Sequence, residues 1–174
     1  ADYMIGISSK EVEETAAQGT RQRAHELRLQ FWAVALERLK QDHIALYANV
    51  SPSRDHWLNA GSGVRSCPFS MVFSHREARV ELSLSRFEAF ENKRIFDQLY
   101  ERRNEIEEAF GQSLEWRRMD DKKACRIFLA KTFDGYDKEQ WPEMAQWLSD
   151  HLKALIQAIQ TPLRQAGQSL GLPE

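Results

Sequence analysis

Between Phe69 and Phe133 a two-residue hydrophobic period gives way to a helical one and then returns, and that succession restricts the chain to a few folds. Ala78, Val80, Leu82 and Leu84 alternate with Arg79, Glu81, Ser83 and Ser85, the pattern of a strand with one buried and one wet face. Phe69, Met71 and Phe73 alternate in the same way with Ser70 and Ser74, and His75, Arg76 and Glu77 supply the turn between the two strands. A second hairpin is predicted further on. There Leu114 and Trp116 alternate with Glu115 and Arg117, the polar run 120–123 turns the chain, and Cys125, Ile127 and Leu129 return along the core face. Between the hairpins, Ile95, Phe96, Leu99, Tyr100, Ile106 and Phe110 recur at helical spacing, and Gly111 stands where a glycine ends a helix.

The flanks complete the expected fold. Ala24, Leu27, Phe31, Val34 and Ala35, widened by Leu29, Trp32, Leu36 and Leu39, predict a helix over 21–41 whose broad apolar arc needs covering on two sides. Residues 51–68 are rich in proline, glycine and serine and read as a loop. Asp137, Gln140 and Pro142 suit a helix start, and Trp147, Leu148, Leu152, Leu155, Ile156 and Ile159 define a terminal helix that Pro162 ends or bends. The expectation is an α+β fold: a four-stranded antiparallel sheet built from two hairpins, in the order helix, hairpin, helix, hairpin, helix, with the helices on one sheet face. Residues 1–20 read as a linker or a frayed helix leading in from a larger protein, 21–162 as a single domain, and 163–174 as a frayed tail.

Composition removes several function classes. A formal charge of -2 over 174 residues provides no bulk attraction to nucleic acid or anionic lipid. No apolar run approaches the roughly 18 residues of a membrane span, so no membrane partner is expected. Cys67 and Cys125 stand isolated, with neither the spacing of metal ligands nor the density of a disulfide scaffold, which suits a reducing cytoplasm. Five scattered histidines show no ligand spacing, so no metal and no cofactor is expected. Glu91-Asn92-Lys93 matches the letters of a restriction-nuclease motif but falls at a helix start, where that motif does not belong, and no catalytic residue is assigned.

Candidate binding residues remain. Arg103 falls within the apolar stripe of the middle helix, either with its stem packed and its head wet or held for a carboxylate or an anionic ligand. Arg79, Arg117 and Arg126 share the wet sheet face with Phe128, a set suited to a phosphate backbone and a stacked base, although Glu81 and Glu115 interleave with them and cross-strand pairing explains the same residues. In the loop, Arg54, His56 and Trp57, with Asp55 among them, form the strongest polar cluster, while Gly61-Ser62-Gly63 lacks the lysine and helix of a phosphate loop.

Several of these segments also carry a resemblance. The run Ala78 to Leu82, the segment from Ile95 to Trp116, the following DDKKACRI, Phe31-Trp32, Trp57-Leu58 with Gly61-Ser62-Gly63, and Trp141 with Trp147 are together similar to a bacterial and archaeal domain of unknown function, numbered four-two-six-eight. The resemblance covers 22–159. It implies a setting beside an upstream restriction-endonuclease-like nuclease domain, in DNA processing or defence, and no catalytic residues. The expected function is therefore a non-catalytic accessory or recognition module. The alternatives are a homodimerisation domain using the first and last helices, or an enzyme placing Arg103, Glu81 and the Trp57 loop around an anionic substrate.

Overall fold

A computed structural model describes residues 2–171, with side chains described from Val12 onward. Helix α1 (Asp2–Gln41) leads into a short 3-10 turn (Ala45–Tyr47) and three antiparallel strands, β1 (Trp57–Ala60), β2 (Phe69–Phe73) and β3 (Glu77–Leu84). Two consecutive helices follow, α2 (Ala89–Glu101) and α3 (Arg103–Phe110). The hairpin of β4 (Glu115–Arg117) and β5 (Cys125–Thr132) comes next, and α4 (Trp141–Ser169) closes the described chain.

The sheet has five strands in the order β1-β2-β3-β5-β4, which corrects the expected four-stranded sheet and its element order. The added strand comes from the segment read as a loop. Its four residues bury Leu58 and Ala60 and expose Trp57 and Asn59, pairing Leu58 with Met71 and Ala60 with Phe69. Alternation over four residues flanked by serines, prolines and glycines is too short to register as a strand against those breakers. The helix joining the hairpins is also two helices. The chain bends at Arg102 (φ -101, ψ 15), whose guanidinium ties to Glu105 and, at 2.6 Å, to Gln165 of α4. Gly111 ends α3 in the left-handed region, as expected (φ 103).

Alternation sorts the sheet cleanly. Phe69, Leu82, Ile127 and Trp116 lie across one rung of the ladder and face the helices; Ser70, Glu81, Phe128 and Glu115 lie across the next rung and face away. The helical layer covers the first set: α4 crosses β2 and β3, flanked by the C-terminal half of α1 on one side and by α2 and α3 on the other. Phe31 of α1 stacks on Phe73 at 4.2 Å and meets Trp141 edge-on, so first helix, sheet and last helix share one aromatic cluster. The indole of Trp32 donates to the Asp55 carbonyl, anchoring the approach to β1.

The two ends of the described chain are both helical. Residues 2–20, read as a linker or a frayed helix, are continuous with α1, and no side chain between Val12 and Gln30 is buried. At the other end, Pro162 does not stop α4, and 163–169 are helical instead of frayed. Leu155, Ile159, Leu163 and Ala166 are all buried around the proline, so packing outweighs the hydrogen bond it cannot donate. The rest of the expected tail, 172–174, lies outside the described residues.

Candidate functional site

The register of β3, β5 and β4 decides what the open face presents. Glu81, Phe128 and Glu115 form one rung and Ser83, Arg126 and Arg117 the next, while Arg79 stands two residues before Glu81 on β3. The side chains converge on the Phe128 ring. The guanidinium carbons of Arg79, Arg117 and Arg126 lie 4.6, 5.7 and 5.9 Å from its centroid, all within the range in which a ring quadrupole attracts a cation. Four of the sequence candidates therefore form one cluster.

Glu81 is the hub of that cluster. Though on the open face, it is only 7% exposed, because its neighbours lie over it. It accepts from Arg79 at 3.4 Å and from the Ser83 hydroxyl at 3.0 Å, and stands 3.8 Å from Arg126. Arg79 also bonds Glu77 at 3.0 Å, and Arg117 pairs with Glu115 at 2.8 Å. Each cluster arginine thus has a carboxylate partner, but only Arg126–Glu81 crosses between strands; Arg79 pairs with Glu77 and Glu81, and Arg117 with Glu115, along their own strands, where the sequence suggests cross-strand pairs. Such partners orient the guanidiniums, and any anion approaching the face has to compete with them.

Beside the cluster lies a shallow depression of about 570 Å³, walled by Arg76, Arg79 and Arg126 against Glu77 and Glu81, with His56, Trp57 and Asn59 along the β1 edge. His56 and Trp57 meet edge-on at 4.6 Å, and the indole remains 42% exposed. Partial burial, with Arg28 and Arg79 nearby, pulls the His56 pKa below the ordinary imidazole range against the opposing pull of Asp55. Two of the three loop candidates therefore join the sheet cluster. Arg54 does not: its carbonyl accepts from Arg28 at 3.2 Å, and its side chain is exposed outside the depression.

Arg103 is elsewhere. The bend at Arg102 rotates it off the apolar stripe, and it lies exposed over the Tyr100 ring at 4.2 Å. The helices occupy the opposite side of the sheet from Glu81, so no site gathers Arg103, Glu81 and the Trp57 loop. Sequence reading missed Arg76 and Asn59, which line the depression, and Arg28 of α1, whose charge lies near His56; no local pattern connects these residues, because they come from separate elements that meet only in the folded chain. Gly61-Ser62-Gly63 is braced by α4: Gln160 donates to the Ser62 carbonyl at 2.9 Å, and the Arg164 guanidinium packs where a Gly63 side chain would stand.

Among the described residues no three His, Cys, Asp or Glu side chains are placed to hold a metal ion, and no helix is long and apolar enough to cross a membrane. Both cysteines are buried, and burial raises their thiol pKa values, that of Cys67 to about 11, which makes them poor nucleophiles.

Neither a curated protein nor a solved structure matches the chain. Residues 27–163, well over half of the chain, spanning the whole of the sheet, α2 and α3 and most of α4, match the family described as Domain of unknown function (DUF4268), and the chain belongs to that family.

Proposed function

We propose that this domain is a non-catalytic recognition module that contacts DNA through the open face of its sheet, as the accessory part of a DNA-processing or defence protein that also carries a nuclease domain. The observation that supports this reading is the Phe128 ring with three guanidiniums gathered over it, beside a depression edged by the exposed Trp57 and by His56. Guanidiniums supply forked donors for phosphate oxygens, and the rings supply flat apolar surface for a base. The paired glutamates limit affinity and keep the arginines positioned. The nuclease setting and the cytoplasmic location come from the sequence resemblance and the unpaired cysteines.

Fluorescence anisotropy with labelled single- and double-stranded oligonucleotides at low salt tests the reading. Binding is expected that falls with added salt and weakens when Arg79 and Arg117 are both replaced by alanine, with the salt slope reduced by about one unit for each phosphate left without its arginine. No change in anisotropy at low salt would end it.

Homodimerisation through α1 and α4 has an observation of its own. Val34 is 39% exposed beside a shallow groove of about 590 Å³ that it shares with Ala33, Pro142 and Ala145. Sedimentation at several concentrations separates this reading from the first: a mass that stays at one chain excludes it.

A further inference from the structure

At the end of the sheet where Arg117 and Arg126 stand, two phenylalanines are left in solvent. Phe87 is 81% exposed and Phe90 is 60% exposed, far more than any aromatic of the core cluster. Local folding does not account for them. Phe87 immediately precedes the N-cap of α2, where an apolar residue often packs against the fourth helical position, but that position here is Asn92, which is polar and fully buried.

Asn92 instead holds the corner rigid. Its side chain accepts from the Arg86 amide at 2.8 Å and donates to the carbonyls of Arg86 and Lys123 at 3.0 and 3.1 Å, so one amide joins the end of β3 to the start of β5. One residue on, the Lys93 ammonium donates to the carbonyls of Arg118, Met119 and Ala124 and fixes the β4–β5 turn to α2. The Lys123 ammonium is thereby placed 4.5 Å from the centre of the Phe87 ring. Unlike the arginines of the open face, Lys122 and Lys123 have no carboxylate partner among the described residues. Glu88, Asp120 and Asp121 stand nearby in sequence, and Asp120 is engaged by Arg118.

We infer that this corner is a base-stacking site for single-stranded DNA: Phe87 and Phe90 take unstacked bases, Lys122 and Lys123 take the adjoining phosphates, and the strand continues onto the Arg117–Arg126 end of the open face. The inference rests on the DNA-binding reading for the path of the strand and adds to it the form of the ligand. An exposed ring on a braced mount loses little freedom when a base stacks on it, and only an unpaired base offers its flat face. A duplex hides those faces, which leaves the lysines alone to act on it. A second copy of the chain related by a two-fold axis through this corner would bring Lys122 and Lys123 against themselves, a repulsion that a polyanionic strand relieves.

The test compares a fluorescein-labelled oligothymidylate with a labelled duplex of the same length, using the full chain at low salt. The single strand is expected to bind more tightly. Replacing Phe87 and Phe90 together by alanine weakens single-strand binding by roughly tenfold or more and leaves duplex binding unchanged. Lys123→Gln weakens it less and flattens its salt dependence. Both rings are exposed, so the double variant keeps its fold, checked by an unchanged thermal midpoint.

Equal affinity for the two forms, or a double variant that still binds the single strand like the parent, overturns the inference. It is likewise overturned if the double variant instead abolishes self-association in sedimentation, or binding to phosphatidylserine vesicles. The two readings fail separately. If the Arg79/Arg117 variant loses DNA and the Phe87/Phe90 variant does not, only the corner is wrong; if the parent binds neither form, both are wrong.

Discussion

The two faces of the sheet are built from the same strands by opposite means. Toward the helices, Phe69, Met71, Val80, Leu82 and Ile127 are all completely buried, and their contribution is apolar area removed from water. One rung away, Ser70, Glu81, Phe128 and Glu115 form a surface held by ion pairs around a ring. Removing side chains from the first face costs stability. On the second face, the exposed pair of Arg117 with Glu115 contributes little to stability, while the charges set the electrostatic character of the surface; the largely buried Glu81 is the exception. One side of the sheet holds the fold together, and the other presents charge and a ring to solvent.

Four experiments put that contrast under strain. Leu82→Ala, at the centre of the inner face, is expected to destabilise the domain by about 3 kcal/mol in urea unfolding and to leave the affinity of the folded protein for DNA unchanged. Glu81→Gln, its neighbour on the outer face, is expected to cost about 1.5 kcal/mol, since it removes a largely buried charge that Arg79 and Arg126 face, and to strengthen DNA binding by releasing those arginines. A loss of DNA binding in Glu81→Gln would show that the carboxylate positions the guanidiniums more than it competes for them.

The third experiment concerns a charged lock on the helical side. Asp42, just past the end of α1, receives both the Nε and Nη2 of Arg38 and the Ser149 hydroxyl of α4. Those bonds hold its pKa down to about 2. A carboxyl whose pKa is depressed on folding stabilises the fold above its unfolded value and loses that contribution as the pH falls through the folded one. Unfolding free energy measured from pH 5 downward is therefore expected to decline between about pH 4 and 2, and to decline less in Asp42→Asn. The smallest effect is expected from Arg117→Ala. Its pair with Glu115 is half exposed on both sides, so stability should move by less than about 0.5 kcal/mol while DNA affinity falls.

How much of this could be read from the sequence followed the length of each periodic signal. The inner and outer faces of β3 were legible because the eight residues of that strand alternate without a break. The four residues of β1 were not, because Leu58 and Ala60 are too few to outvote the serines and glycines around them. The bend at Arg102 carries no proline or glycine to mark it, and the bond there from Arg102 to Gln165, in a distant helix, has no local trace. Arg103 was misplaced for that reason. Pro162 misled in the other direction: a strong local signal for a helix end was overruled by burial on both sides of it. Of the candidate site, the gathering of Arg79, Arg117, Arg126 and Phe128 was legible from alternation alone. The central burial of Glu81 was not, because it depends on which residues register sets beside it.

The strand order has a consequence for behaviour in concentrated solution. Both outermost strands are the shortest in the sheet, four residues at β1 and three at β4, while the eight-residue β3 and β5 lie inside with partners on each side. A sheet grows into fibres by recruiting a further chain along a long bare margin of amide and carbonyl groups. Here the margins are too brief to template one, so prolonged storage should yield no thioflavin-positive material until the helical cover itself has melted.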